Sequence, residues 1–320
     1  MSLSHFLKIP AVRDKLKPLR PKMPRKINVA LQVESRSTRY ILVGIAFDYL
    51  LRFELQRQAP HAISRPLVAE AAIDAIWKSH NGSGWFIQLS KDDQGVVSEL
   101  TDPNARMNAD QKAMEDLAKE VAGRARNTLE KGKSAIAAYL KNKSPTRPEK
   151  EDLAAHAIRF AKLEELCRSH RFDPSFEEAN QEDVKELLAL LAIAPVEVLL
   201  HDKVLLLNPT FGESSRLVSG ADADLIAGDT LIDFKTTKAG EVTAEYLDQL
   251  LGFFLLARNQ RLADPTFPVI NRLALYFCRH GHLWTLNASA WTEHPQFAEI
   301  EEWFFSRAKE EYPRLNRKTK

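Results

Sequence analysis

With 320 residues, 44% of them apolar and 28% charged, the chain can bury one large core or two ordinary ones. No apolar run reaches the length of a bilayer and the opening residues hold no secretory core, so a soluble, cytoplasmic protein with no membrane partner is expected. Two cysteines, Cys167 and Cys278, exclude a disulfide framework and a four-cysteine iron–sulfur cluster within one chain, and they read as buried free thiols.

The formal charge of +2 is unevenly spread. Residues 1–26 carry eight basic side chains, among them Lys15, Lys17, Arg20 and Lys22, against the single acid Asp14. Such an arm, taken as residues 1–35, has two readings. It is either a strip that displaces counterions from the phosphates of a polyanion, or a proline-punctuated segment that packs on its own protein. Beyond it, residues 39–58 space their apolar side chains as a helix does, with Phe47, Leu50, Leu51 and Phe53 on one side. A second helix is predicted over 66–80, closed by the Asn-Gly-Ser-Gly breaker at 81–84. Helical tracts follow at 108–143, 149–170 and 182–194, with Ser-Pro-Thr-Arg-Pro (144–148) dividing the first two. Residues 36–100 thus read as the first part of a core, and 101–200 as an α-helical insertion.

From residue 201 to 320 the character changes. Stretches 203–211, 215–228 and 230–238 are β-rich, 243–259 is helical, 270–287 reads as a hairpin turning at 279–281, and 295–312 is a closing helix. This order of elements is that of a mixed α/β (α+β) fold.

Strand interiors avoid Asp, because a buried carboxylate without a partner is costly. Yet "ADADLIAGDTLIDFKTTK" (221–238) sets Asp222, Asp224, Asp233 and Lys235 in the β-rich stretch. Side-chain alternation puts Asp222 and Asp224 on one face, and Asp233 and Lys235 on one face of the next strand. Ala-Gly-Asp at 227–229 is a tight turn, so the two strands are expected to be antiparallel neighbours. Two carboxylates and an ammonium then converge. Oxygen ligands of this kind suit hard Mg²⁺ or Mn²⁺, and a neighbouring lysine can orient a water that attacks phosphorus.

"GADADLI…LIDFKTT" resembles the Asp…(Asp/Glu)-x-Lys signature of the PD-(D/E)XK nuclease superfamily, most closely its RecB-like exonuclease branch. The resemblance continues into "YLDQLLGFFLL", where Gln249 takes the glutamine place of a Gln-x-x-x-Tyr element and Phe253 stands where tyrosine is usual. Upstream, "VGIAFDYLL" (43–51) is similar to the family's first core helix, with Asp48 at the position of its metal-binding His or Glu. The resemblance implies a restriction-endonuclease-like mixed sheet flanked by helices. It also implies Mg²⁺- or Mn²⁺-dependent hydrolysis of DNA phosphodiester bonds. The metal would be held by Asp224, Asp233, the backbone carbonyl of Phe234 and Asp48, and Lys235 would position the water. Gln249 would face DNA, with Lys15, Lys17, Arg20 and Lys22 supplying phosphate contacts. A helicase or ATPase, or a repair or phage-defence assembly, is the partner that family analogy suggests; the chain has no GxxxxGK[ST] loop of its own.

Asp-x-Lys also occurs at Asp110/Lys112 and Asp183/Lys185, in helical tracts where a solvated charged face is the simpler reading. His280 and His282 read as turn histidines and Arg279 as a salt-bridged surface arginine. The rival to an enzyme is a catalytically inactive nuclease fold that binds DNA or a partner through its arm and helices.

Overall fold

A computed structural model describes residues 2–22, 25–71, 86–92, 95–101, 111–169, 173–200 and 204–313. They form two compact units, one of Met1–Gln32, His61–Arg65 and Pro195–Lys320, the other of Val33–Pro60 and Pro66–Ala194. The fold is α+β: a mixed sheet organises the first unit, and helices dominate the second. The strands are β1 (Ile63–Ser64), β2 (Phe86–Asp92), β3 (Gly95–Thr101), β4 (Leu205–Leu207), β5 (Leu225–Ala227), β6 (Thr230–Lys235), β7 (Arg272–Phe277) and β8 (His282–Asn287).

In the first unit six strands pair in the order β1-β4-β5-β6-β7-β8. The β1–β4 and β6–β7 steps are parallel and the others antiparallel. The β5–β6 hairpin closes as the sequence predicts. Ala227 pairs with Thr230, and Gly228 supplies the positive φ of 58° that a two-residue hairpin loop needs at its first position. β7, "RLALYF", is apolar after its first residue and buried along that run, as befits a strand covered on both faces. A parallel β6–β7 step needs a crossover, and the helix Ala244–Ala263 provides it. Its N-cap Thr243 accepts a hydrogen bond from the Tyr246 amide, and residues 250–257 are buried without interruption.

Two expectations are corrected here. The strand predicted over 203–211 contracts to β4, and Lys203 lies outside the described residues. Residues 215–228 are β-structured only at β5 and at a single bridge from Asp222 to Thr210, because a short helix, Gly212–Leu217, takes their beginning. The physical reason is a run of left-handed backbone at Asn208, Gly212, Ser219 and Gly220, which breaks any extended stretch. Ser215 then closes the loop, its hydroxyl accepting from the Phe211 amide and donating to the Ala221 carbonyl.

The N-terminal segment packs on its own unit. Leu3–Phe6 and Pro10–Leu16 are helices, a 3-10 turn covers Lys17–Leu19, and Leu3, Phe6, Val12, Leu16 and Leu19 join the core around the Ala244–Ala263 helix. Within each short helix these residues stand three or four apart, as on a helical face, a signal that the charges between them obscure.

The second unit contains the helices Tyr40–Gln58, Gln111–Lys141, Arg147–Ser169 and Gln181–Ala192, together with the β2–β3 hairpin, which the sequence reading did not anticipate. The helix predicted at 66–80 falls mostly outside the described residues, as do the breaker at 81–84 and Asp110. Tyr40–Gln58 carries charge inside the unit. Tyr49 donates to Glu164, Arg52 pairs with Asp48, and Tyr139 donates to Glu54 at 2.5 Å. Gly132 lets Gln111–Lys141 approach Arg147–Ser169, since a Cβ there would lie 2.2 Å from the Phe160 ring.

Two outcomes follow for stability, each read by urea denaturation. Phe6, fully buried and edge-on to Phe304 at 5.2 Å, costs about 3–5 kcal/mol when cut to alanine, whereas exposed Lys17→Ala stays within about 0.5 kcal/mol. Gly132→Ala gains about 1 kcal/mol of helix propensity but incurs an overpacking cost of about 1–3 kcal/mol. Because the Phe160 ring is fully buried and has nowhere to move, the clash outweighs the gain and the unfolding midpoint falls.

Candidate active site

β6 presents Asp233 and Lys235 on one face, since side chains two apart on a strand share a side. The Lys235 ammonium lies 2.5 Å from Asp233 Oδ2, with only 13% of the lysine side chain and 7% of the aspartate exposed. It also donates to Gln249 Oε1 at 2.8 Å and sits 4.5 Å from the centre of the Tyr246 ring. Burial pulls the lysine pKa down. The charge and hydrogen bond of Asp233, and then the charge of Asp224, outweigh it and leave the pKa above its ordinary value. Lys235 is therefore a cation at neutral pH.

Asp224 stands one residue before β5, and Asp233 one residue beyond Ile232, where the Leu225–Ile232 pairing ends. The Asp224 carboxylate accepts the backbone N–H of Phe234, so it reaches across the hairpin to the strand that carries Asp233 and Lys235. Asp222 lies outside this group. It is exposed and pairs with Arg65 at 3.2 Å, the loop ahead of β5 having turned it to the edge of the sheet.

Beneath the pair lies a layer that sequence reasoning did not assign to the site. Cys278 is fully buried; burial raises its thiol pKa, the bonds from Thr236 and the Lys235 backbone oppose that, and the charges of Asp224 and Asp233 add to it. Arg279, expected at the surface, is fully buried and donates Nε–H to the Thr236 carbonyl at 3.2 Å. His280 is also buried, and desolvation together with His282 and Arg279 holds its pKa below the usual value. Tyr246, on the crossover helix, was also missed and had a legible signal: it precedes Gln249 by three residues, which places both on one side of a helix.

The remaining predicted positions divide. Gln249 joins the site through Lys235. Asp48 belongs to the second unit, where its carboxylate pairs with Arg52 one turn along the helix. Lys15 pairs with Glu299 at 2.6 Å, and Arg20 makes a two-pronged bond to Asp248 at 2.8 and 2.7 Å. Lys17 and Lys22 are exposed. The comparison motif at Asp183/Lys185 is not the solvated face expected: Asp183 is fully buried and pairs with Arg39 at 2.6 Å, and Lys185 alone is exposed.

Among the described residues no group of three or more His, Cys, Asp or Glu side chains gathers as a metal cage. The donor set at β5–β6 is the carboxylate pair Asp224 and Asp233. That set fits Mg²⁺, which retains several waters and ordinarily takes one or two protein carboxylates. No protein-family model matches this chain, and neither does any curated protein or solved structure. No described helix is long and apolar enough to cross a membrane.

The ion pair has a measurable signature. Lys235→Ala leaves Asp233 buried without its counter-charge and lowers the unfolding free energy by about 3 kcal/mol. Asp233→Asn in the same chain recovers most of that loss, so a double-mutant cycle in urea at pH 7 gives a clear coupling energy. Additive losses would show that the two side chains do not support each other.

Proposed function

We propose that the chain is a metal-dependent nuclease that hydrolyses DNA phosphodiester bonds with a PD-(D/E)XK-type site of the RecB-like branch. One observation carries the reading. A sheet strand ends in a buried Asp233–Lys235 pair, with the Asp224 carboxylate reaching over from the adjoining strand. Structural charges are seldom concentrated in this way at the end of an apolar strand, and a buried lysine of raised pKa held beside carboxylates is the kind of group found at sites of chemistry.

Asp224 and Asp233 would hold the cation, with the Phe234 carbonyl as a further oxygen. Bound Mg²⁺ supplies a water of lowered pKa and neutralises charge that develops on the phosphate. The charged Lys235 would orient the attacking water by hydrogen bonding and would stabilise negative charge on the phosphoryl oxygens. Gln249 holds the lysine amine toward the carboxylates. Asp48, paired with Arg52, is left out of this ligand set.

The test is cleavage of linear single- and double-stranded DNA by the full chain, with and without millimolar Mg²⁺ or Mn²⁺, beside calorimetric titration of the ion. Asp233→Asn weakens ion binding and brings cleavage to background. Lys235→Ala keeps ion binding and loses cleavage about 10²-fold or more. Lys185→Ala, on an exposed helical position, leaves both unchanged. A parent that binds the ion and cuts DNA no better than Lys235→Ala would falsify the catalytic assignment. A parent that neither binds the ion nor cuts leaves the inactive binding module as the reading.

A further inference from the structure

An ammonium has three N–H donors. In Lys235 one goes to Gln249 Oε1, the charge pairs with Asp233 Oδ2 at 2.5 Å, and another side of the group meets the Tyr246 ring, 4.5 Å from its centroid. A cation over an aromatic face is attracted by the ring quadrupole, and the attraction grows as water is excluded, as it is around this largely buried lysine. Tyr246 is itself fixed. It is the third residue of its helix, its amide is held by the Thr243 side chain, and it packs half-buried against the core of the first unit. The helix start and the core contact together hold the ring over Lys235.

We propose that Tyr246 is a positioning residue for Lys235, and that the face of its ring, rather than its hydroxyl, holds the ammonium. The proposal rests on the reading of Lys235 as the group that orients the attacking water. It explains why that lysine has two anchors besides its carboxylate. The side of the ammonium now turned to Asp233 is the one left for a water once the carboxylate is otherwise engaged. At that point Gln249 and Tyr246 keep the amine where it is. Without the ring, the amine would hang from a four-carbon stem with one neutral hydrogen bond, and a flexible stem loses geometry readily.

The test separates the contact from the catalysis. The full chain is prepared with ¹³C at the lysine ε position, and the Lys235 signal is identified by its loss in Lys235→Arg. The ring current of Tyr246 shifts the Lys235 ε protons upfield in the parent and in Tyr246→Phe, and the shift disappears in Tyr246→Leu. In the cleavage assay Tyr246→Phe matches the parent, while Tyr246→Leu is slower by about tenfold. An unshifted Lys235 signal in the parent overturns the proposal, and so does a Tyr246→Phe variant as impaired as Tyr246→Leu. A parent with the shifted signal that never cuts DNA removes the nuclease reading and leaves the ring–ammonium contact established.

Discussion

Two opposite charges taken out of water at the end of a central strand set the terms for the first unit. Desolvating Asp233 and Lys235 is expensive, and their mutual attraction repays the cost only when geometry is tight and the remaining donors are satisfied. The surrounding elements meet that requirement. The crossover helix brings Gln249 and Tyr246 to the ammonium, and the β5–β6 hairpin brings the Asp224 carboxylate to the same strand. The residues after β7 back the strand end, where Arg279 bonds to the carbonyl of Thr236, directly after Lys235. Each of these parts has an ordinary reason to fold, and together they leave the lysine no other conformation.

The helix Ala244–Ala263 links this arrangement to the hydrophobic core. Its middle, residues 250–257, is apolar all round and buried, and the N-terminal helices supply part of the cover. Arg20 reaches Asp248, the residue next to Gln249, and the Arg25 and Ile27 backbones bond to Val242 and Gly240 just ahead of the helix. A segment whose composition suggests a free basic strip is thus part of the support for the helix that carries two site residues. Its exposed lysines remain a basic surface, while its leucines and Phe6 belong to the interior.

The second unit shows buried polar groups used differently. Tyr49, Arg52, Glu54, Glu164 and Asp183 are all withdrawn from solvent and tied to partners on other turns or other helices. Arg52 lies over the Tyr49 ring and pairs with Asp48, so the position that a sequence motif offers as a metal ligand is occupied by a guanidinium within its own helix. Buried pairs of this kind are modest contributors to net stability, and breaking one is costly.

Elements whose residues carry their own local instruction were legible in the chain itself. The long helices, the Gly228 turn, the β7–β8 hairpin with its left-handed Gly281 and the Asp233/Lys235 spacing all depend on periodicity or on one residue's backbone freedom. Other features depend on what comes near from far along the sequence, and local pattern does not encode that. The sequence set Asp233 and Lys235 apart from Asp183 and Lys185 by strand against helix, but it did not show that Asp183 is buried too, nor that its partner is Arg39 while that of Asp233 is Lys235. The choice between a free arm and a packed one was open in the sequence because its charges and its apolar residues pointed to different answers. Packing decided it, since burying Leu3, Phe6, Val12, Leu16 and Leu19 outweighs keeping the segment solvated, and its lysines and arginines reach water or a carboxylate from the packed position.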